Sequence, residues 1–320
     1  MSAATVAAVA AAYDLGDPVA DPVYATRGEQ GLIWRLDTRR GSWAVKELLL
    51  PMDEAAAGRD VAFQLAAAAA GIPLPPPRRT RDGRVMLPAP EAASAGSVRV
   101  YQWADLAPGP VVTGIEIGAV TARLHQLRHP DPRPVEAWFS EPIGSAAWEA
   151  MHAAARRARA SWAGALGRWL PELIALDAAV TPPDPARMIT CHRDLNVENV
   201  LYAAAGGVVV LDWENCGPAQ PEQELAAIVA DIAMDVTLPA ARDVYVSYLA
   251  TGGPARVTAV ADFASAAAIQ GHLLQFYSRR ALDPDDTPDN RARARRRLDH
   301  MTRQPLTLAR VGRLFSLLAR

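Results

Sequence analysis

Cysteine is scarce in this chain: 320 residues hold two, Cys191 and Cys216. Two cannot build the multi-bridge framework of a small secreted domain. One bridge between them is geometrically open; two reduced, partly buried thiols are the preferred reading, and a cytoplasmic setting goes with it. Net charge is almost missing as well, at −2, which removes the global basic field a nucleic-acid binder would use. No stretch of eighteen apolar residues runs without a charge or a turn, so no membrane span is expected. The opening M-S-A-A-T-V-A-A-V-A-A-A is apolar but lacks a basic region and soon meets Tyr13 and Asp14. A packed or frayed leading helix fits it better than a signal peptide. The motif G-x-x-x-x-G-K-S/T is absent, which disfavours a P-loop enzyme. Six histidines are present, but His192 has no second ligand at a recognisable zinc spacing. No internal repeat is evident, and nothing implies an obligate protein partner.

What is present is apolar mass and a change of pattern along the chain. Half of the residues are hydrophobic, enough for a large core and for two lobes, and unlike a disordered chain. Residues 3–13 favour a helix by alanine content; Asp17-Pro18 and Asp21-Pro22 break the connection that follows. From Val23 to Leu50 short strands take over: T-R-G-E-Q-G leads into L-I-W-R-L-D, and R-R-G-S into W-A-V-K-E-L-L-L. Residues 53–70 read as one substantial helix ended by Gly71, and the prolines at 73 and 75–77 cannot extend it. Arg78–Thr80, Val85–Leu87 and Val98–Trp103 are further strands. Beyond Pro108 and Gly109 helices dominate: 115–127, 146–170 as one long helix or two, 173–180, 221–238, 240–250, 257–280 and 291–318. The expected fold class is α+β and bilobal. Residues 1–103 hold a small, mainly antiparallel sheet with one major helix; residues 104–320 form a larger helical lobe. The R-A-R-A-R-R-R run at 291–297 reads as a solvated helix face.

The chemistry concentrates in two nearby runs, C-H-R-D-L-N-V-E-N at 191–199 and V-V-V-L-D-W at 208–213. Asp194 is the candidate base: a phosphoryl acceptor needs its hydroxyl proton managed and its oxygen held in line, and one loop carboxylate does both. Asn199 offers an amide oxygen and Asp212 a charged one, a set that suits magnesium shared with nucleotide phosphates. The G-G turn between them suggests a hairpin that returns Asp212 beside Asn199. Alone, Asp194 would read as a backbone-capping loop carboxylate; the company of Asn199 and Asp212 outweighs that. His192 is assigned a structural hydrogen bond, and Arg193 either steadies the loop or contacts phosphate. Glu214 either reaches the same cleft or pairs with an arginine.

Lys46 lies in W-A-V-K-E-L. A lone strand lysine is ordinarily a snorkelling surface residue, but alternation with Val45 lets its ammonium face nucleotide phosphates. A carboxylate of the following helix, Glu54 or Asp60, is expected to hold it, with Asp60 slightly preferred. Gly28 and Gly31 in R-G-E-Q-G either let backbone N–H groups approach phosphates or make an ordinary hairpin turn. Gln102 and Trp103, in Y-Q-W-A-D-L, are candidates for a hinge whose backbone pairs with adenine.

With His192, Asp194, Leu195 and Asn199 forming H-x-D-L-x-x-x-N and Asp212 following in L-D-W, the chain resembles the aminoglycoside phosphotransferase and choline kinase-like superfamily. The resemblance runs from about Val23 to the C-terminal helices and includes Leu124-His125 as the L-H of the first large-lobe helix. It implies a protein kinase-like fold, Asp194 serving the acceptor hydroxyl, Asn199 and Asp212 holding Mg2+, and Lys46 as the strand lysine. Arg193 stands where members commonly have glycine. Neither D-F-G nor A-P-E occurs, and no activation segment separates Asp212 from Glu224, which favours a small-molecule kinase over a protein kinase. The implied donor is ATP or GTP and the partner a small hydroxylated molecule. Glu214, Glu222, Glu224, Asp231 and Asp235, with the D-P-D-D-T-P-D loop, are candidates to offset a cationic antibiotic such as an aminoglycoside. Choline, homoserine or sugar-type acceptors are the alternative, as is a noncatalytic nucleotide-binding regulator.

Overall fold

A computed structural model gives the fold and describes residues 1–88 and 96–319. Its elements begin with α1 (Ala3–Ala12), β1 (Val23–Arg27), β2 (Gly31–Thr38), β3 (Gly41–Leu48), α2 (Glu54–Ala69), β4 (Leu87–Pro88), β5 (Ser97–Gln102), α3 (Gly114–Gln126), α4 (Ala137–Ser140), α5 (Ser145–Arg157) and α6 (Ala163–Asp177). They continue with β6 (Ile189–Cys191), β7 (Val200–Tyr202), β8 (Val208–Val210), β9 (Gly217–Ala219), α7 (Pro221–Asp235), α8 (Leu238–Ala250), α9 (Ala264–Leu282), α10 (Pro288–Met301) and α11 (Leu308–Leu318). Two compact units result, one of Met1–Val112 with Val197–Cys216, the other of Thr113–Asn196 with Gly217–Arg320. The division differs from a cut at 103/104: the first unit runs on to Val112 and also takes in the hairpin after the Asp194 loop.

The first unit is an antiparallel sheet in the order β1-β2-β3-β5-β4. Strand alternation gives each face its own cover. Trp43, Val45, Val98 and Val100 pack with Val6, Val9 and Tyr13 of the leading segment; Leu48 packs with Ala57 and Val61 of α2. Thus α1, capped by Ser2, is a packed helix. Asp53 caps α2 at its start, and past its end Gly71 takes φ +76, a left-handed turn that favours glycine. The expected strand at Arg78–Thr80 is instead a proline-rich segment lying along β5. Arg78 N–H bonds Val100 C=O at 2.8 Å and Gln102 N–H bonds Pro76 C=O at 2.9 Å, but prolines lack the donors to extend the ladder. The β7–β8 hairpin turns through Gly206 and Gly207 at positive φ.

The second unit is helical apart from the short β6–β9 pair. Thr113 and Glu116 form a capping box at the start of α3. The α3 and α8 backbones approach closely. A Cβ at Gly114 would lie 2.1 Å from Ala240 C=O, and one at Gly118 2.2 Å from Val244 C=O. The 146–170 stretch breaks after α5, where Arg159 takes φ +51. The separate helix expected at 173–180 is the end of α6, which runs through Pro171. The 291–318 stretch also divides, and Thr307 caps α11. On α10 the buried side chains are Ala294 and Leu298; Arg295 and Arg296 are exposed, whereas Arg291, Arg293 and Arg297 are half-buried. Among the described residues no helix is long and apolar enough to cross a membrane.

Candidate active site

Lys46 projects from β3 on the same face as Leu48, the face that α2 covers. It is the only lysine among 33 lysines and arginines, and it is 6 % exposed. Its stem passes Gly31 on β2, where a Cβ would meet Lys46 Cγ and Cε at 2.8 Å and the Glu47 carbonyl at 2.9 Å. Nζ lies 2.7 Å from Asp212 Oδ1 and 2.9 Å from Glu214 Oε2. In direct register with Lys46, β5 presents Arg99, 1 % exposed. Arg99 Nη1 is 3.4 Å from Asp60 Oδ2 and 3.5 Å from Glu214 Oε1, and Tyr101 Oη donates to Glu214 Oε1 at 2.8 Å. Like charges opposite one another on a sheet repel, and a buried unpaired charge costs several kcal/mol. Carboxylates from α2 and from the turn after β8 are what let the two cations stand together.

Burial pushes the Asp212 carboxyl up, to about 6, against the pull of Lys46 and with the help of Glu214. Burial would also raise Glu214, but Lys46 and Arg99 outweigh it and hold that carboxyl well below the usual range. For Lys46, burial works against the charge, and Glu214 and Asp212 more than restore it. Asp212 itself sits at φ +58, ψ 67, a conformation that costs a non-glycine residue energy and that gathers at functional positions. Leu211 N–H donates to Asn199 C=O at 2.8 Å, extending the Val200–Val210 pairing of β7 and β8. The hairpin thereby sets Asn199 beside the strand end that carries Asp212.

One expectation for this unit needs correction, and two are narrowed. Neither Glu54 nor Asp60 holds Lys46: Glu54 accepts from Val85 and Met86 N–H at 2.6 and 3.3 Å, and Arg99 engages Asp60. The Gly28–Gly31 pair closes a hairpin turn through a 2.9 Å bond from Gly28 N–H to Gly31 C=O, and the bare Cα of Gly31 makes room for the lysine stem. The amide N–H groups of Gln102 and Trp103 are committed to Pro76 and Ser42 C=O, which leaves pairing with an adenine to their carbonyls.

In the second unit, the loop after β6 carries the other candidate residues. His192 is fully buried. Arg193 takes φ +65, and its N–H donates to Glu224 Oε1 at 2.5 Å. Its guanidinium bonds Glu136 at 2.5 Å and lies 3.9 Å over the Phe139 ring. It also sits where a Cβ on Gly217 would be 2.4 Å from Nη2. Asp194 is partly exposed and accepts from Asn196 Nδ2 at 2.9 Å. Behind the loop, Glu224 Oε2 is 2.6 Å from His125 Nε2, and His125 Nδ1 is 2.8 Å from Tyr248 Oη. Ala255 N–H already donates to that tyrosine oxygen. A carboxylate only accepts, so His125 Nε2 carries the proton that faces Glu224. His125, Cys191 and Glu224 lie close enough together for a metal, but these hydrogen bonds already employ the histidine and the carboxylate. Cys191 and Cys216 are both free thiols.

The profile of the Phosphotransferase enzyme family matches residues 5–260. The chain belongs to this family. No curated protein sequence matches it. Among solved structures, a spectinomycin phosphotransferase in complex with ADP and spectinomycin is 14 % identical, with TM-score 0.67 over 99 % of both chains. An amicoumacin kinase in complex with AMP-PNP, Ca2+ and Ami is 14 % identical, with TM-score 0.60 over 96 % of both chains. A microcompartment-associated aminopropanol kinase is 17 % identical, with TM-score 0.60 over 99 % of both chains. At such identities the likeness is one of fold.

Within this phosphotransferase, the acids expected to meet a cationic acceptor are largely committed elsewhere. Glu214 and Glu224 are buried in the two networks above. Glu222 pairs with Arg187 at 2.6 Å and Asp235 with His300 at 3.0 Å; Asp231 is half-buried on α7. In the D-P-D-D-T-P-D loop, Asp286 pairs with Arg280 at 2.9 Å. Arg99, Tyr101, His125 and Tyr248 were not anticipated as members of these networks. The lysine count would have singled out Lys46, and the G-x-x-x-G of Gly114 and Gly118 would have flagged the α3–α8 approach. Nothing local marks Arg99, whose meaning comes from its register with Lys46.

Proposed function

We propose that this phosphotransferase moves the γ-phosphoryl group of ATP or GTP to an alcohol oxygen of a small hydroxylated acceptor. The observation that carries the reading is the 2.7 Å pair of Lys46 and Asp212, a buried ammonium and a strained carboxylate next to Asn199. In this reading Lys46 binds donor phosphates, and Asp194 orients the acceptor hydroxyl and takes its proton. Asn199 and Asp212 would hold magnesium. Their oxygen donors are the type that cation takes, and the half-buried Asp212 carboxyl, pushed up by desolvation, gains from another cation. Bound there, magnesium would supply charge neutralisation at the phosphates. The two free thiols support a cytoplasmic setting.

The spectinomycin and amicoumacin enzymes of the same fold support an antibiotic acceptor. The engagement of Glu214, Glu222, Glu224 and Asp235 within the protein favours an acceptor with little positive charge over a polycationic aminoglycoside. That same observation supports a second reading, a kinase of choline, homoserine, sugar or amino-alcohol type, to which the aminopropanol kinase adds weight. The test is a transfer screen with ATP and GTP against weakly charged antibiotics, aminoglycosides and hydroxylated metabolites. Phosphorus NMR would locate the modified oxygen. Nucleotide binding without acceptor-dependent product across the screen would instead mark a noncatalytic regulator.

A further inference from the structure

The α2 carboxylate Asp60 does not touch Lys46, yet the two are joined by an unbroken chain of buried charges. Asp60 Oδ2 bonds Arg99 Nη1, Arg99 Nη1 meets Glu214 Oε1, and Glu214 Oε2 holds Lys46 Nζ, at 3.4, 3.5 and 2.9 Å. The side chains of Lys46, Arg99, Asp60 and Glu214 are each 8 % exposed or less, so solvent screens none of these contacts strongly. We infer that Arg99 is a positioning residue for the phosphate-binding lysine, acting through Glu214 and anchored by Asp60.

The charge arrangement explains why an arginine is needed. Glu214 uses both oxygens: Oε2 on Lys46, Oε1 on Arg99 and on the Tyr101 hydroxyl. Without Arg99, Glu214 and Asp60 would remain as buried carboxylates sharing Lys46 and Asp212 as their charged surroundings. Glu214 would then keep only the Tyr101 hydroxyl on Oε1 and would hold the ammonium less firmly. Arginine suits the task because its guanidinium stays charged when buried, and one nitrogen, Nη1, faces both carboxylates. The cross-strand register of Lys46 with Arg99 fixes the spacing that lets one glutamate serve both.

The inference rests on the proposed role of Lys46 toward nucleotide phosphates, and its test separates the two. Because Lys46 is the only lysine, reductive methylation with 13C formaldehyde labels it and the N-terminal amine alone, with no nucleotide present. Full-length wild type, Arg99→Met, Arg99→Lys and Asp60→Asn are compared by melting temperature and by affinity for magnesium–ATP and for adenosine, and all but Arg99→Lys, which adds a second lysine, by Lys46 methylation rate. In folded Arg99→Met, methylation should speed up about fivefold or more. ATP affinity should fall roughly tenfold, the effect of losing one charge-assisted contact, while adenosine affinity stays within about twofold. Asp60→Asn should shift both readouts in the same direction by less, and Arg99→Lys should recover part of the loss. An unchanged methylation rate in folded Arg99→Met overturns the relay, as does an equal loss of ATP and adenosine affinity, which would mark a general structural role. Unchanged methylation in Asp60→Asn would remove α2 from it. If wild type binds neither nucleotide nor nucleoside, the kinase reading fails, and the methylation rates alone still decide the relay.

Discussion

Replacing Glu224 by glutamine would preserve its shape while removing the charge that the Asp194 loop leans on. The wild-type carboxylate accepts from Arg193 N–H at 2.5 Å and from His125 Nε2 at 2.6 Å, fully inside the second unit. Hydrogen bonds to a charged group contribute about 1.5–3 kcal/mol each. Glutamine keeps one oxygen for Arg193 but turns an NH2 toward the Nε2 proton of His125. A loss of about 2–4 kcal/mol in unfolding free energy is therefore expected at pH 7, read by urea denaturation. The pH dependence gives a second reading of the same bond. Burial pushes the Glu224 carboxyl up, but the His125 bond and the neighbouring donors prevail and hold it below its ordinary 4.5. The stabilisation it provides is present above that value and is lost as pH falls through the lower folded one. The gap between wild type and Glu224→Gln should thus stay constant from neutrality down to about pH 5.5 and close in acid below 4.5. Because the network grips the loop of Asp194 rather than Lys46, turnover should drop while the KM for nucleotide holds. A gap under about 1 kcal/mol at pH 7, or one that persists undiminished at low pH, would show that the carboxylate charge does not anchor the loop.

Asp194→Ala should abolish phosphoryl transfer and keep most nucleotide affinity; turnover at the wild-type rate would take Asp194 out of the reaction. Asp212→Ala should weaken magnesium-dependent nucleotide binding, and titration calorimetry showing unaltered metal dependence would count against that ligand. Gly118→Ala puts a methyl 2.2 Å from a backbone carbonyl of α8, which cannot yield as a side chain would. Overpacking of this kind costs about 1–3 kcal/mol, and a variant as stable as wild type would mean that α3 and α8 do not pack so closely. Gly31→Ala meets the lysine stem and the Glu47 carbonyl together, so it should lower both stability and ATP affinity; a loss of neither would contradict the packing of Lys46 against β2.

Much of this was written in the chain as local pattern. Alternation in W-A-V-K-E-L placed Lys46 on a strand, and the turn glycines Gly206 and Gly207 forecast the hairpin that sets Asn199 beside Asp212. These are short-range effects: a strand repeats every two residues, and a tight turn needs residues that tolerate its dihedral angles. Helix ends were less legible. Pro171 sits inside α6 although a proline ordinarily stops a helix, because the packing of Leu166 and Leu173 into one core holds both halves in line.

The partners of the charges were legible only in part. Proximity in sequence pointed Lys46 to Glu54 or Asp60, the acids of the next helix, and Glu214 and Glu224 to an acceptor. The folded chain gives Lys46 to Asp212 and Glu214, gives Asp60 to Arg99, and puts Glu224 behind the Asp194 loop. The sequence by itself determined most of the strands and helices and which residues offer the groups that phosphoryl transfer would use, since propensity and motif depend on neighbours a few positions apart. Only the tertiary structure decided which carboxylate faces which cation. That choice is made across strands and helices far apart in the chain, where burial makes an unmatched charge too costly to keep.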